Sequence, residues 1–169
     1  MNDEIILVDL NDVPVGRGEK MWVHMNDRLH RAFSVFIISG DKMLIQKRNK
    51  NKYHSGGLWA NACCSHPRYG EDTGLAVSRR LKEELGISVP VKEIFHFVYR
   101  TVFENGLTEF EYDHVFLASY SGDIVFSEEE VEEIKWIDID DLKKDIVNNP
   151  QNYASWFIIA LPEVLEAIE

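Results

Sequence analysis

The stretch GEDTGLAVSRRLKEELGI, residues 70–87, decides the fold. Val77, Leu81 and Leu85 recur at i, i+4 and i+8, which predicts an amphipathic helix with one apolar stripe. Asp72 or Thr73 can cap its start, and Gly86 can end it. Opposite the stripe crowd Arg79, Arg80, Lys82, Glu83 and Glu84. Taken alone, such a face is a solvated surface with Arg80–Glu83 and Arg80–Glu84 pairs at helical spacing.

Around this helix the chain alternates strand-like runs with few breaks. These runs are Glu4 to Leu10, Arg31 to Ser39, Lys42 to Lys47, Glu93 to Val102, Glu109 to Tyr120 and Ile134 to Ile139. FSVFIIS-GD-KMLIQK is a hairpin signal, two apolar runs about a Gly-Asp turn. Further helices are expected near Asp140 to Val147 and from Tyr153 onward, where Pro162 would kink or restart the last one. The acidic run at 128–133 suggests a short solvated helix capped by Ser127. The expected fold is α/β (α+β), a mixed β-sheet sandwich with helices on both faces, in one domain spanning 1–169.

Composition narrows the function. The 169 residues carry a formal net charge of −11, which disfavours broad binding to nucleic acid or anionic membranes. A small anionic substrate in a locally basic pocket stays compatible with it. No apolar run reaches the length of a membrane span. The start, MNDEIILVDLND, has acids where a secretory signal has lysines. The two cysteines, Cys63 and Cys64, are adjacent; their Cα atoms lie about 3.8 Å apart, too close for an unstrained bridge. Free thiols and the lack of a leader predict a cytoplasmic protein, and a monomer or a homodimer is expected.

Chemistry-bearing residues are scattered. His24 and His30 flank a strand start. In NACCSHP, Pro67 pushes His66 toward extended backbone, so Cys64 and His66 project to one side. In GLTEFEYDHVF, Glu109, Glu111 and Asp113 share one strand face. They mean little if solvated, but need a metal or arginines if the strand is central. Three imidazoles with two carboxylates would form a borderline N/O site for Mn²⁺, Zn²⁺ or Fe²⁺, with Mg²⁺ less suited. A zinc knuckle from Cys63, Cys64 and His66 has poor spacing.

The helix resembles the Nudix box, G-x5-E-x7-R-E-U-x-E-E-x-G-U with U aliphatic. Glu71, Arg79, Leu81, Glu83, Glu84, Gly86 and Ile87 fall in register, while Ser65 replaces the first Gly and Arg80 replaces the Glu after the Arg. That box binds Mg²⁺ and a diphosphate, and Arg80 removes one acidic ligand of the hydrolases. RLHRAFS, GLW-NACCSHP, the altered box and GLTEFEYD, taken in order, resemble the type I isopentenyl diphosphate isomerases, which share the Nudix fold but do not hydrolyse. The resemblance implies one divalent metal on His24, His30, His66, Glu109 and Glu111. It implies Cys64 and Glu111 as the proton-transfer groups, with Tyr99 beside Glu111 and the Trp156 ring facing a carbocation. Of the two, Glu111 with Tyr99 is assigned to protonation and Cys64 to deprotonation, with the reverse assignment as the alternative. It places the prenyl diphosphate on Lys20, Arg48, Lys52 and Arg80, with a second Mg²⁺ on Glu84 and the Cys64 carbonyl. His54, His96 and His114 have no counterpart and are taken as structural, and Cys63 as core packing. Two alternatives stand beside it: a Nudix pyrophosphohydrolase of a nucleoside or CoA diphosphate, and a catalytically silent diphosphate-binding module.

Overall fold

The computed structural model describes residues 4–169; residues 1–3 of the expected 1–169 domain lie outside the described residues. The strands are β1 (Glu4–Val8), β2 (Pro14–Glu19), β3 (His30–Ser39), β4 (Lys42–Arg48), β5 (Trp59–Asn61), β6 (Cys63–Ser65), β7 (Lys92–Val102), β8 (Thr108–Ser119) and β9 (Val131–Asp138). The helices are α1 (Lys20–Met25), α2 (Thr73–Leu85), α3 (Ile139–Asn148) and α4 (Ser155–Ile168), with a 3₁₀ turn at Pro150–Asn152 before α4.

β3 is the ruler of the sheet. Along one edge it runs parallel to β8, with His30 opposite Glu111 and Ile38 opposite Ser119. Along the other it meets three antiparallel partners in turn: β1 at His30, β6 at Phe33 to Val35 and β4 at Ile37 to Ser39. The β3–β4 turn is the expected hairpin, with Gly40 at φ +58°. Alternation along the strands then feeds two cores. Phe33, Val35, Ile37 and Leu44 pack under α2 with Val77, Leu81 and Leu85. Phe36, Met43, Ile45 and Val115 pack under α3 and α4 with Leu142, Trp156 and Phe157. Helices thus cover both faces, as the periodicities require. Full burial of each leucine in the α2 stripe contributes about 1.5–3 kcal/mol.

α2 follows its sequence signals. Asp72 accepts the Leu75 N–H as N-cap, and Gly86 turns left-handed at φ +65°. A side chain at Gly86 would also strike the Val125 carbonyl. Two expectations are corrected. The acidic run is not a helix: residues 128–130 form a turn whose N–H groups at Glu130 and Val131 donate to the Ser127 carbonyl. β9 therefore starts at Val131, because that side chain is fully buried beside β4. α4 also continues through Pro162 rather than restarting there, since its buried stripe of Trp156, Ala160 and Val164 holds both halves to the sheet.

The loop before α2 carries His66, and Glu71 fastens it. Arg79 Nε and Nη2 donate to the two Glu71 oxygens at 2.8 and 2.9 Å, and the Arg68 N–H donates to Glu71 Oε2 at 2.8 Å. The Arg79 hydrogen bonds hold the Glu71 carboxyl below its ordinary value. Its stabilisation is therefore full above the unfolded carboxylate range and fades as pH falls through the lower folded value. Glu71→Gln is expected to cost about 1–2 kcal/mol at pH 7. In urea melts at pH 7 and pH 3, the gap between variant and wild type should narrow at the lower pH; a constant gap would contradict the ion pair.

Candidate active site

The site lies at the end of the α4-covered face, where β8 turns its acids inward. Glu109, Glu111 and Asp113 are all buried on this central strand. Parallel register brings His30 opposite Glu111, and β6 brings Cys64 opposite Ser34. α1 adds His24, and the loop before α2 adds His66. The Nε2, or one oxygen, of His24, His30, His66 and Glu111 lie within 4.8 Å of one another. A second group, His24, His54 and Glu109, meets the same criterion.

The imidazoles are oriented for coordination. His24 Nδ1 faces the Lys20 carbonyl at 2.7 Å, and His30 Nδ1 faces the Arg28 carbonyl at 2.9 Å. A carbonyl only accepts, so each Nδ1 carries the proton and each Nε2 offers a lone pair. Buried His24 Nε2, His30 Nε2 and Glu109 Oε2 have no hydrogen-bond partner. Buried polar atoms are rarely left so, and a divalent cation would satisfy all three; the residues fit the metal that the sequence implies. Burial, and then the His30 charge, lower the pKa of His24 and His66, which keeps both neutral as ligands must be. Burial also acts to lower His30, but its hydrogen bond and attraction to Glu111 prevail and raise it. Glu111 mirrors this: burial raises it, and the His30, Glu109 and Tyr99 interactions prevail to lower it.

Tyr99, opposite Glu111 on β7, donates its hydroxyl to Glu111 Oε1. Asp113 accepts from Ser34 Oγ at 2.8 Å, while burial and the Glu111 charge raise its carboxyl well above the usual range. Cys64 points into the site and Cys63 into the α2 core, as adjacent strand residues must. The Cys64 thiol donates to Asn61 Oδ1 at 3.0 Å and accepts the Trp156 indole N–H at 3.1 Å. Burial, with Asp113 adding to it, pushes this thiol far up, so it stays protonated in the ligand-free protein. Cys64, Trp156, Glu109, Glu111, His54 and Arg48 line one hollow of about 20 Å³. That is room for one water-sized group, so a longer ligand enters only when this lining shifts.

A basic cleft of about 150 Å³ adjoins the hollow, sharing Ser65 and His66. Lys20, Lys52 and Arg80 line it as expected, together with Arg68 and Arg79. Arg48 does not: it sits in the hollow, its guanidinium 5.1 Å over the Trp156 ring. Burial, then repulsion from Lys52 and Arg80, lowers Lys20. In a chain of net charge −11, such a cluster of cations in a concave site calls for an anion. Arg80 also grips the altered box, donating to Glu83 at 2.7 Å and to Glu84 at 2.7 Å, with Glu130 3.3 Å away. Glu84 is buried, and its other oxygen faces Gln46 Nε2 at 3.4 Å. Both its oxygens thus have partners, and Glu84 alone makes no cation site.

One expectation needs revision, and three further residues enter the site unforeseen. His54, expected to be structural, is buried with Nε2 3.1 Å from Glu109 Oε2. Its neighbour Tyr53 also enters the site, under the Lys20 ammonium at 4.4 Å. Asn61, which ties the thiol to Trp156, and Arg68 carried no motif that could have revealed them. His114 and His96 do lie apart: His114 pairs with Asp12 at 2.8 Å and with Glu93, and His96 stacks on Tyr112.

The fold and site have known relatives. Residues 28–157 match the NUDIX domain. The MutT NUDIX hydrolase from Burkholderia pseudomallei superposes with a TM-score of 0.64 at 25% identity, over 80% of this chain and 98% of that one. Isopentenyl-diphosphate Delta-isomerase 1 of Aromatoleum aromaticum is 45% identical over 170 residues, covering 100% of this chain and 96% of the relative. Isopentenyl-diphosphate Delta-isomerase 2 of the same bacterium is 44% identical over 166 residues, covering 98% and 88%. The chain is a Nudix-fold protein whose box has lost an acid to Arg80. Within that fold, it belongs to the isopentenyl-diphosphate Delta-isomerase family.

The Arg80–Glu84 pair has a direct test. Arg80→Met leaves Glu84 buried without its cation and is expected to cost about 3 kcal/mol. The double variant Arg80→Met/Glu84→Gln should recover most of that loss in urea denaturation. Equal stability of the single and double variants would remove the pair as a structural element.

Proposed function

We propose that the protein interconverts isopentenyl diphosphate and dimethylallyl diphosphate. One observation carries this: buried, unpartnered imidazole and carboxylate atoms share a hollow with the half-buried Cys64 thiol, beside a basic cleft. A hydrolase needs acids on its box for metal and water, and here Arg80 holds them. A silent binding module has no use for the thiol or the acids.

The diphosphate lies in the cleft on Lys20, Lys52 and Arg80, and the five-carbon tail enters the hollow. Arg48 sits between tail and cleft. Glu111, with Tyr99, serves the terminal carbon, C4. Cys64 serves C2. In the forward direction a proton passes from the Glu111–Tyr99 pair to C4, and the π electrons of the C3=C4 bond form the new C–H bond. The cation left at C3 faces the Trp156 ring, a contact worth roughly 2 kcal/mol when desolvated. The Cys64 sulfur then takes a proton from C2, and the C–H electrons close the C2=C3 bond. The ligand-free state, with a neutral thiol and an ionised carboxylate, is poised for the reverse direction. One exchange of protons with solvent resets it for the forward one.

The metal site is His24, His30, His66, Glu109 and Glu111, whose nitrogens suit Mn²⁺ or Zn²⁺ better than Mg²⁺. A divalent ion held there would draw electron density from the Glu111 carboxyl and make its proton more acidic. Glu84 and the Cys64 carbonyl would hold a second ion, Mg²⁺, only together with the substrate diphosphate, and that ion would help anchor the anion. Residues 1–169 act as one Nudix-like unit. In support, both β1 and α1 precede the matched segment, yet β1 pairs with β3 and α1 contributes Lys20 and His24 to the site. Free Cys63 and Cys64 support a cytoplasmic setting; among the described residues, no helix is long and apolar enough to cross a membrane.

Incubation with isopentenyl diphosphate and Mn²⁺ in deuterated water should place deuterium in the product methyl, followed by NMR. Cys64→Ala and Glu111→Gln should each lower kcat on the order of 10³-fold, with folding unchanged by circular dichroism. Release of phosphate from a diphosphate panel, without double-bond migration, would replace this function with hydrolysis.

A further inference from the structure

His54 lies on the loop between β4 and β5 that also carries Lys52. Its ring is fixed on several sides. Phe103 stacks on it at 4.5 Å and 7°, the Trp156 ring stands edge-on at 5.8 Å, and Nδ1 meets Ser55 Oγ at 3.2 Å. This leaves Nε2 aimed at the cage. There it stands 3.1 Å from Glu109 Oε2, yet neither atom has a partner in hydrogen-bonding geometry. Both are buried. Two buried polar atoms this close without a hydrogen bond between them are both left unsatisfied, a demand that one shared cation would meet.

The spacing itself is informative. Two ligands at right angles on an ion, each bonded at about 2.1 Å, stand about 3 Å apart. Glu109 and His54 meet this at 3.1 Å, as do Glu111 and His66 at 2.8 Å and Glu111 and His30 at 3.3 Å. His24 is common to both groups of converging atoms, and one imidazole Nε2 serves one ion. The two groups are therefore halves of one coordination shell.

We propose that His54 is a direct protein ligand of that same divalent ion, joining it through Nε2. This rests on the metal site proposed above and extends it. It has a mechanical consequence. Coordination through His54 ties the loop of Lys52 to the ion, so loading the metal also sets the basic cleft for the diphosphate.

Co²⁺ reports on this without turnover. Purified protein stripped with chelator is titrated with Co²⁺, followed by visible absorption and by proton NMR of the shifted imidazole N–H signals. Wild type should bind one ion in the cage, lost in His24→Ala. His54→Gln should weaken Co²⁺ binding by about tenfold or more, change the visible band, and lose one shifted imidazole signal relative to wild type. His54→Ala should behave alike, and thermal melts of both metal-free variants show that they fold. A merely structural His54 would leave the visible band and the number of shifted signals unchanged, and that result in either folded variant overturns the proposal. Failure of wild type to bind Co²⁺ at all would instead overturn the metal site on which it rests.

Discussion

Everything in this protein answers to three carboxylates on a central strand. β8 lies between β3 and β7, and Glu109, Glu111 and Asp113 on it are buried. Removing charge from water is costly unless it is paired and hydrogen-bonded. The surrounding structure meets that cost in three ways. Asp113 is pushed toward its neutral form and accepts from Ser34. Glu111 is gathered by Tyr99, His66 and His30. Glu109 keeps an oxygen unsatisfied, toward His54, a residual demand that the proposed cation would meet.

The same constraint explains why the altered Nudix box no longer resembles a hydrolytic centre. Arg80 pairs with Glu83, Glu84 and Glu130 on its own side of the sheet edge, turning ligands into internal counter-ions. The positive end of that network faces the cleft with Lys20 and Lys52. The acidic turn at 128–130, which looked like a solvated helix, thus has a place: Glu130 holds Lys52 and Arg80 together at the mouth. A chain of strongly negative charge keeps a local positive pocket because its acids there are already committed.

The hollow beside the cage is small and its polar atoms are tightly allotted. Asn61 Oδ1 accepts from both the Cys64 thiol and the Trp156 indole, and burial keeps the sulfur protonated. The Trp156 ring gives the hollow an apolar wall, which suits chemistry through a carbocation. Arg48 over the Trp156 ring shows that this ring already accommodates a positive charge in its setting.

How far the sequence went can be judged residue by residue. The α2 stripe, the Asp72 cap, Gly86 and the Gly40 turn are local events, set by period and backbone sterics, and all were legible. The opposite facing of Cys63 and Cys64 was legible for the same reason. Motif order pointed to His24, His30, His66, Glu109 and Glu111, but spacing along a chain carries no information about convergence in space. Only the parallel β3–β8 register put His30 against Glu111. Only loop packing on Phe103 turned His54 inward, and only the docking of α4 brought the Trp156 indole to Asn61. Such contacts join segments distant in sequence, and they depend on which strands pair and in what register, which the tertiary structure alone decided.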